Sequence, residues 1–304
     1  MLRKGRSNGM LTIITACYNG LSSAGAEAVR RCIMGVAALP FPHEHLIMDG
    51  ASSDGSVEFI KGLNAPSSQI YSEKDSGIYD ALNKGIAKAK GDYIYVLGLD
   101  DYIENPEAMA KAWQAATMGR YDIVISPVKF PNGFFWPKRR SKVYRLYYYM
   151  PFSHQGVLSR KELLQAQGGY DASYLIVADH KHLLSAVMQG CSVKYVPEQY
   201  AYMGVNGTSA KLKEKLRHEA RRLHREFYPS GNECRVQKGI LPLVNIVRLI
   251  FFGRSRFVRR MGACALNQWL YTKVKTDSHK VFYVLGMPVL RLRHHILRKS
   301  GSEE

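Results

Sequence analysis

No stretch of this chain reaches the roughly 18 consecutive apolar residues that a bilayer-spanning helix needs, so nothing in it reads as a transmembrane segment. The five cysteines (Cys17, Cys32, Cys191, Cys234, Cys264) are odd in number, widely spaced and never in a C-x-x-C pair. That argues against a disulfide framework or a zinc knuckle and suits a reducing compartment. G-x-x-x-x-G-K-[ST] and G-x-G-x-x-G are both missing, so neither a P-loop nor an ordinary dinucleotide site is supported. No internal repeat or low-complexity tract is visible. The basic start, MLRKGRSNGM, runs into LTIITACYNG, which is too short and polar for a convincing signal peptide. Acidic residues are scarce: 25 Asp+Glu stand against 43 Lys+Arg, a formal charge of +18.

What is present is enough for a large core. The 304 residues are 46% hydrophobic, which argues against wholesale disorder. The charge is unevenly spread. Residues 205–304 hold 21 Lys+Arg against 7 Asp+Glu, whereas the first two thirds hold 22 against 18. This shift marks a boundary between a domain at 8–207 and a basic C-terminal region at 208–304.

The front half alternates strand and helix signals. LTIITACY is a β-branched run that ends at Asn19-Gly20, and HEHLIMDG ends at Asp49-Gly50. SQIYSE and GDYIYVLGL read as further strands, and YDIVISPV as a later one. Between them lie helix-compatible stretches, among them AGAEAVRRCIMGVAAL and GIYDALNKGIAKAK, the second with apolar residues at 78, 82, 86 and 89. The alternation predicts an α/β fold with a mainly parallel central sheet and helices on both faces. Ligands in such folds bind beyond the carboxyl ends of the strands. Asn19, Asp49, Asp75 and the pair Asp100-Asp101 all follow strand signals, so they should gather on one edge. A single Asp after a strand is usually a turn residue or a cap. Several on one edge, with oxygen-only ligands, suit Mg²⁺ or Mn²⁺ bridging to phosphate oxygens.

The chain resembles the family 2 glycosyltransferases, inverting enzymes with the GT-A fold, from about residue 11 to 207. The resemblance rests on TIITACYN, MDGASSDGS, SEKDSGIYDALNKGIAKAKGDYIYVLGLDD, FSHQGVL and VADHKHLL, in that order. G-I-Y-D-A with a later H-Q is similar to bacterial polysaccharide and lipopolysaccharide transferases. A missing Q-x-x-R-W motif sets the chain apart from the processive cellulose-synthase type. The resemblance implies a nucleotide-sugar donor, a UDP-sugar ahead of a GDP-sugar. It places Thr15, Tyr18 and Asn19 in the loop that holds the nucleotide. It places Asp49 against the base, with Ser52 and Asp54 completing that loop, and Asp75 beside the nucleotide and sugar. Asp100 and Asp101 fall at the metal-binding motif, where the family commonly has a further carboxylate two positions earlier; here that position is Gly98. Asp179 matches the late acidic residue that serves as base, although by residue type alone it could simply cap its helix.

That chemistry needs these groups. A nucleoside diphosphate leaves readily only when its developing charge is neutralised, and an acceptor hydroxyl needs a general base. His154 of the H-Q pair becomes a candidate near the diphosphate or acceptor. Trp136, Tyr147, Tyr148 and Tyr149 could stack on sugars or simply pack. Lys138, Arg139 and Arg140 could meet a phosphate-bearing acceptor or form a solvated loop. KLKEKLRHEARRLHREFY reads as a solvated helix with charge pairs one turn apart. Short apolar runs beside basic clusters, at 240–252 and 281–292, fit either interfacial helices drawn to anionic lipid or helices packed on the catalytic domain. The C-terminal region is therefore expected to be mostly helical. The expected enzyme works on a saccharide or lipid-linked saccharide at the cytoplasmic face of the membrane, without nucleic acid. Three rivals stay open: a nucleotidyltransferase, a basic nucleic-acid-binding protein for which no recognisable motif is present, and a binding protein with a degenerate site, to which Gly98 points.

Overall fold

The computed structural model describes residues 9–137, 143–147, 149–204, 212–227, 271–275, 279–284 and 287–293. Its centre is a seven-stranded sheet. In chain order the strands are β1 (Leu11–Cys17), β2 (His43–Asp49), β3 (Ser68–Ser72), β4 (Tyr93–Val96), β6 (Ile123–Ile125), β9 (Val157–Arg160) and β10 (Val193–Tyr195). Their spatial order is β10-β6-β9-β4-β1-β2-β3. Only β9 runs antiparallel to its neighbours, β4 and β6. The first turn of β9 therefore starts on the edge where the parallel strands end. That reversal carries residues 154–156 to the same edge as Asn19, Asp49 and Asp100.

Strands β1 and β2 are buried on both faces, which is why they read as continuous apolar runs instead of alternating ones. Helix α1 (Gly20–Ser23) is a single turn. Helix α2 (Ala26–Ala37) buries Val29, Cys32, Ile33 and Val36, the i, i+3, i+4, i+7 stripe of a helix that covers a sheet. Helix α3 (Ser56–Gly62) follows β2. Helix α4 (Ile78–Lys88) covers the opposite face with Tyr79, Leu82 and Ile86. The expected stripe began one residue too early: Ile78 is exposed and Tyr79 turns inward. Helix α4 approaches β1 closely at Gly85, where an added Cβ would lie 2.7 Å from Ile14. Helix α5 (Pro106–Gly119) begins at Asn105, whose side chain accepts the Ala108 N–H, with proline in the first turn. Helices α6 (Lys161–Ala166) and α7 (Ala178–Met188) complete the domain. A smaller sheet joins β5 (Tyr102–Ile103), β11 (Ala201–Tyr202), β7 (Val128–Lys129) and β8 (Phe135–Trp136).

The C-terminal third departs from expectation. Helix α8 (Lys213–Phe227) is present, but it is not simply solvated: Glu219 and Leu223 are buried, and Leu216 and Phe227 pack on the core. Beyond it the described residues form strands β12 (Tyr271–Lys275), β13 (His279–Val284) and β14 (Met287–Arg293), a three-stranded antiparallel sheet. Among the described residues this region is therefore part helix and part strand, not helix alone. The described part of its run, 281–284 and 287–292, is strand, as the alternation of Leu290 and Leu292 with Arg291 and Arg293 allows; hydrophobicity over so short a run does not separate the two periods. The run at 240–252 lies outside the described residues, as do Lys138, Arg139, Arg140 and Tyr148. Among the described residues no helix is long and apolar enough to cross a membrane.

One core feature has a measurable consequence. His45 is fully buried in β2 between Thr15 Oγ1 at 3.0 Å and Ser68 Oγ at 3.1 Å. Burial first, and His43 second, push its pKa down to about 3. Burial pushes His182 down to about 4. The unfolded chain takes up these protons near pH 6.5 and the folded chain does not, so stability falls as pH drops below about 6.5. His154 and Asp101, discussed below, act with the opposite sign, since both bind protons more readily in the folded chain. Urea titrations from pH 7 to pH 5 should show a net loss on the order of 2 kcal/mol; an unchanged midpoint would refute this account of the buried histidines.

Candidate active site

The loops after β1, β2 and β3 are sewn together by serines and carboxylates. Asn19 sits in the left-handed region (φ 47°, ψ 54°), a conformation asparagine tolerates better than most residues. Its N–H donates to Ser52 Oγ at 2.8 Å and its Oδ1 accepts from Ser53 N–H at 3.0 Å. Asp49, 2% exposed, accepts from Ser52 N–H at 3.0 Å, Ser72 Oγ at 2.6 Å and the Ser52 hydroxyl. Asp54 accepts from Ser22 N–H and from both the N–H and hydroxyl of Ser56. Burial alone would raise the Asp54 carboxyl, but these donors outweigh it and bring it down to about 2. Asp49 and Asp54 therefore shape the loops from within. Thr15 is fully buried in β1 against His45 and does not reach the open edge, contrary to its expected place against the nucleotide.

The groups that do face the edge are fewer. Tyr18 is 65% exposed. Asp75 is half-buried, with Oδ1 accepting the Gly77 N–H at 2.9 Å. It lies close to Gly50, where a Cβ would come within 2.6 Å of Asp75 Oδ2 and 3.2 Å of the Tyr18 ring. Next along the edge come Asp100, His154 and Asp179.

The two adjacent aspartates have different parts. Asp101 is 2% exposed, with Oδ2 accepting from Gln155 Nε2 at 2.9 Å and Oδ1 from Gly204 N–H at 2.7 Å. Burial first, and Asp100 second, raise its pKa to about 6 despite those two donors. Asp100 is half-buried and makes no hydrogen bond or ion pair with the described residues. Joint metal ligation by both carboxylates is thus not the arrangement observed: Asp101 faces inward and Asp100 alone is uncommitted. Among the described residues no group of three or more His, Cys, Asp or Glu is set to hold a metal by itself. One free carboxylate still fits Mg²⁺ or Mn²⁺, which commonly use one or two carboxylates together with substrate phosphates and water.

Position 98 belongs to this geometry. A Cβ on Gly98 would lie 2.5 Å from Asp101 Oδ2 and 3.3 Å from Asp100 Oδ1. Gly98→Asp would restore the carboxylate common in the resembled enzymes, yet it should destabilise the fold by about 1–3 kcal/mol, the usual cost of overpacking. Urea unfolding reads this directly; a variant as stable as the parent that also binds Mn²⁺ more tightly would show that the loop makes room.

His154 and Asp179 form a pair. His154 Nδ1 lies 3.2 Å from Asp179 Oδ2, with their side chains 39% and 20% exposed. Asp179 is in the first turn of α7, where the helix dipole favours an anion. Its Oδ1 accepts the His180 N–H at 2.8 Å. Burial would raise the Asp179 carboxyl, but His154 outweighs it and holds it below the usual range. Burial would lower His154, but Asp179 above all, then Asp101 and Asp100, raise it. The neighbouring histidines are structural: His180 Nε2 meets the Leu146 carbonyl at 2.7 Å, and His182 lies between Gln167 and Ser159.

Two residues of this site were not found from sequence. Gln155 was seen only as part of an H-Q pair. In the structure the dipeptide joins two carboxylates, His154 to Asp179 and Gln155 to Asp101. Glu219, on α8, accepts from the N–H groups of Leu175 at 2.9 Å, Ile176 at 2.8 Å and Val177 at 3.4 Å, just ahead of Asp179. Among so many cations it reads only as a surface ion-pair partner.

Comparison with known proteins agrees with the geometry. The model of "Glycosyl transferase family 2" matches residues 12–182. An uncharacterized glycosyltransferase of Mycobacterium tuberculosis is 30% identical over 192 residues, 59% of this chain and 69% of its own. A PGL/p-HBAD biosynthesis glycosyltransferase of Mycobacterium bovis is 29% identical over 143 residues, 45% of this chain and 55% of its own. Among solved structures, S. aureus TarS 1–349 in complex with UDP-GlcNAc has a TM-score of 0.55 at 14% identity, covering 90% of this chain and 97% of that one. The mannosyltransferase PcManGT from Pyrobaculum calidifontis, in complex with GDP-Man and Mn²⁺, has a TM-score of 0.56 at 16% identity, covering 87% and 75%. The structural likenesses support the GT-A fold, and the match across more than half of the chain establishes that this enzyme belongs to glycosyl transferase family 2.

Proposed function

We propose that this glycosyltransferase moves a sugar, with inversion, from a nucleotide-sugar, a UDP-sugar ahead of a GDP-sugar, to a hydroxyl of a saccharide or lipid-linked saccharide in cell-surface polysaccharide assembly. The observation that supports inversion is Asp179. It is a carboxylate held ionised by His154 at the strand edge. A direct displacement needs one base, whereas a retaining double displacement needs a second carboxylate as nucleophile. Asp179 takes the proton of the acceptor hydroxyl as its oxygen bonds to the sugar's anomeric carbon. The bond from that carbon to the diphosphate breaks on the opposite face, and the nucleoside diphosphate leaves with the electron pair. Asp100 would hold Mg²⁺ or Mn²⁺ against the diphosphate, where the cation neutralises the leaving group's charge. Tyr18 and Asp75 line the donor side. Gln155 keeps Asp101 turned inward, leaving Asp100 the outward position.

The UDP-GlcNAc bound to TarS and the GDP-Man and Mn²⁺ bound to PcManGT support a nucleotide-sugar and a divalent cation. The test is a screen of nucleotide-sugars for metal-dependent hydrolysis and transfer. Consumption of a nucleoside triphosphate with pyrophosphate release would instead make the protein a nucleotidyltransferase.

The charge of the last third supports a peripheral seat at the cytoplasmic face of the membrane, since each Lys or Arg near anionic lipid contributes about 1 kcal/mol. The full chain should float with anionic liposomes, less so as salt rises. Indifference to anionic liposomes at low salt would end the membrane reading.

A further inference from the structure

A cleft of about 380 Å³ opens between the first turn of α4, the loop at 172–175 and helix α8. Its volume is within the range of small-molecule sites, roughly 300–1,000 Å³. Its position is informative. Its wall begins at Ser76, one residue past Asp75, and includes Tyr79, whose hydroxyl lies 3.4 Å from Asp179 Oδ1. A molecule seated here would be one buried side chain, Tyr79, away from the proposed base and one residue away from the donor-side carboxylate.

Its wall carries two carboxylates, Asp80 and Glu219, two cations, Lys215 and Arg222, and one histidine, His218. Asp80 accepts the Ser76 N–H at 2.9 Å and lies 3.7 Å from Lys84. Glu219 is committed to three backbone N–H groups. Arg222 donates to the Ser173 hydroxyl at 2.7 Å and to its carbonyl at 3.0 Å, and its guanidinium lies 4.2 Å from the Tyr174 ring centroid. Lys215 and His218 remain. They are exposed, three residues apart and so on one face of α8, and make no hydrogen bond or ion pair with the described residues. Two adjacent cation-forming side chains in a concave wall, with both carboxylates of that wall already met, suit a dianion bridging them.

We infer that this cleft is the acceptor site, and that Lys215 and His218 bind a phosphate group carried by the acceptor. The inference rests on the transfer reading above and names its substrate class: a phosphate-bearing saccharide. It also gives α8 two tasks. Through Glu219 the helix fixes the backbone leading to Asp179, and through Lys215 and His218 it holds the molecule whose hydroxyl Asp179 deprotonates. The residues matched by the family model end at 182, so Lys215 and His218 lie outside them.

Isothermal titration of the full chain tests this, with UDP and Mn²⁺ present in saturating amounts. The probes are glucose 1-phosphate, glucuronate and methyl glucoside. Glucose 1-phosphate should bind at least about tenfold more tightly than methyl glucoside, the scale of a hydrogen bond to a charged group. The double variant Lys215→Glu/His218→Ala should lose at least about tenfold of that affinity, and Lys215→Ala alone a smaller part. Both positions are exposed, and a thermal melt checks that the variants fold. Equal binding by variant and parent overturns the inference, as does displacement of UDP by glucose 1-phosphate, which would put the anion in the donor site. Equally tight binding of glucuronate overturns the phosphate assignment. If glucose 1-phosphate binds as expected but no nucleotide-sugar is turned over, the anion site stands and the transfer reading falls.

Discussion

Replacing Asp179 with asparagine should lower sugar transfer by about 10²–10⁴-fold, the usual worth of a general base, while donor binding persists. Asparagine is nearly isosteric and can still accept the His180 N–H, but it cannot take the acceptor proton. It also removes the anion that holds His154 at 3.2 Å. The pH profile separates two roles for the pair. If Asp179 takes the proton, it is ionised at every pH above the usual carboxylate range, because His154 holds its pKa low. Transfer should then be flat through neutrality and fall only in strong acid. If His154 takes the proton and Asp179 orients it, the working form is the neutral imidazole. Activity would then rise with pH through a value above 6.5, because Asp179 holds His154 protonated. The 3.2 Å contact makes the second arrangement a real competitor. An acid limb above pH 6.5 would transfer the role of base to His154, and unchanged transfer in Asp179→Asn would remove both.

The second large effect is expected at Asp100. Asp100→Asn should cut metal-dependent turnover by about 10²–10³-fold, several kcal/mol of lost charge stabilisation on the leaving group. It should also abolish the thermal stabilisation that UDP confers only when Mn²⁺ is present, a readout that does not depend on turnover. Asp101→Asn should behave differently. Both Asp101 oxygens accept N–H groups, so an amide there would point its NH₂ at a donor. The expected cost is about 1–3 kcal/mol of stability, as for a buried donor left without an acceptor. Equal stability of the two variants, with equal loss of metal response, would restore Asp101 as a ligand. Full activity of Asp100→Asn in excess chelator would remove the metal from the mechanism.

These contrasts trace what could be read from the chain alone. The alternation of β-branched runs with a helical stripe was legible, because the two periods differ and both faces of β1 and β2 are covered. The position of each candidate after a strand followed from that pattern. Asp179, the H-Q pair and the donor class were legible only through resemblance, since an Asp at a helix start is as easily a cap. The tail misled: apolar runs beside basic clusters suit a helix or a strand, and the described part at 281–284 and 287–292 is strand.

The sequence by itself determined the parallel α/β sheet, the edge on which the polar residues gather and the kind of chemistry they suit. The tertiary structure decided which of those residues face outward. Asp49 and Asp101 share residue type and placement with the outward-facing Asp75 and Asp100, yet both are buried, as is Thr15 within β1. Their roles depend on partners far along the chain. Asp101 is turned inward by Gln155, 54 residues away, and Gly204, 103 residues away. Glu219 reaches the Asp179 loop across more than 40 residues. Local pattern records a residue's type and period, but a carboxylate becomes a ligand or a support according to which donors the fold brings to it, and those contacts have no local signature.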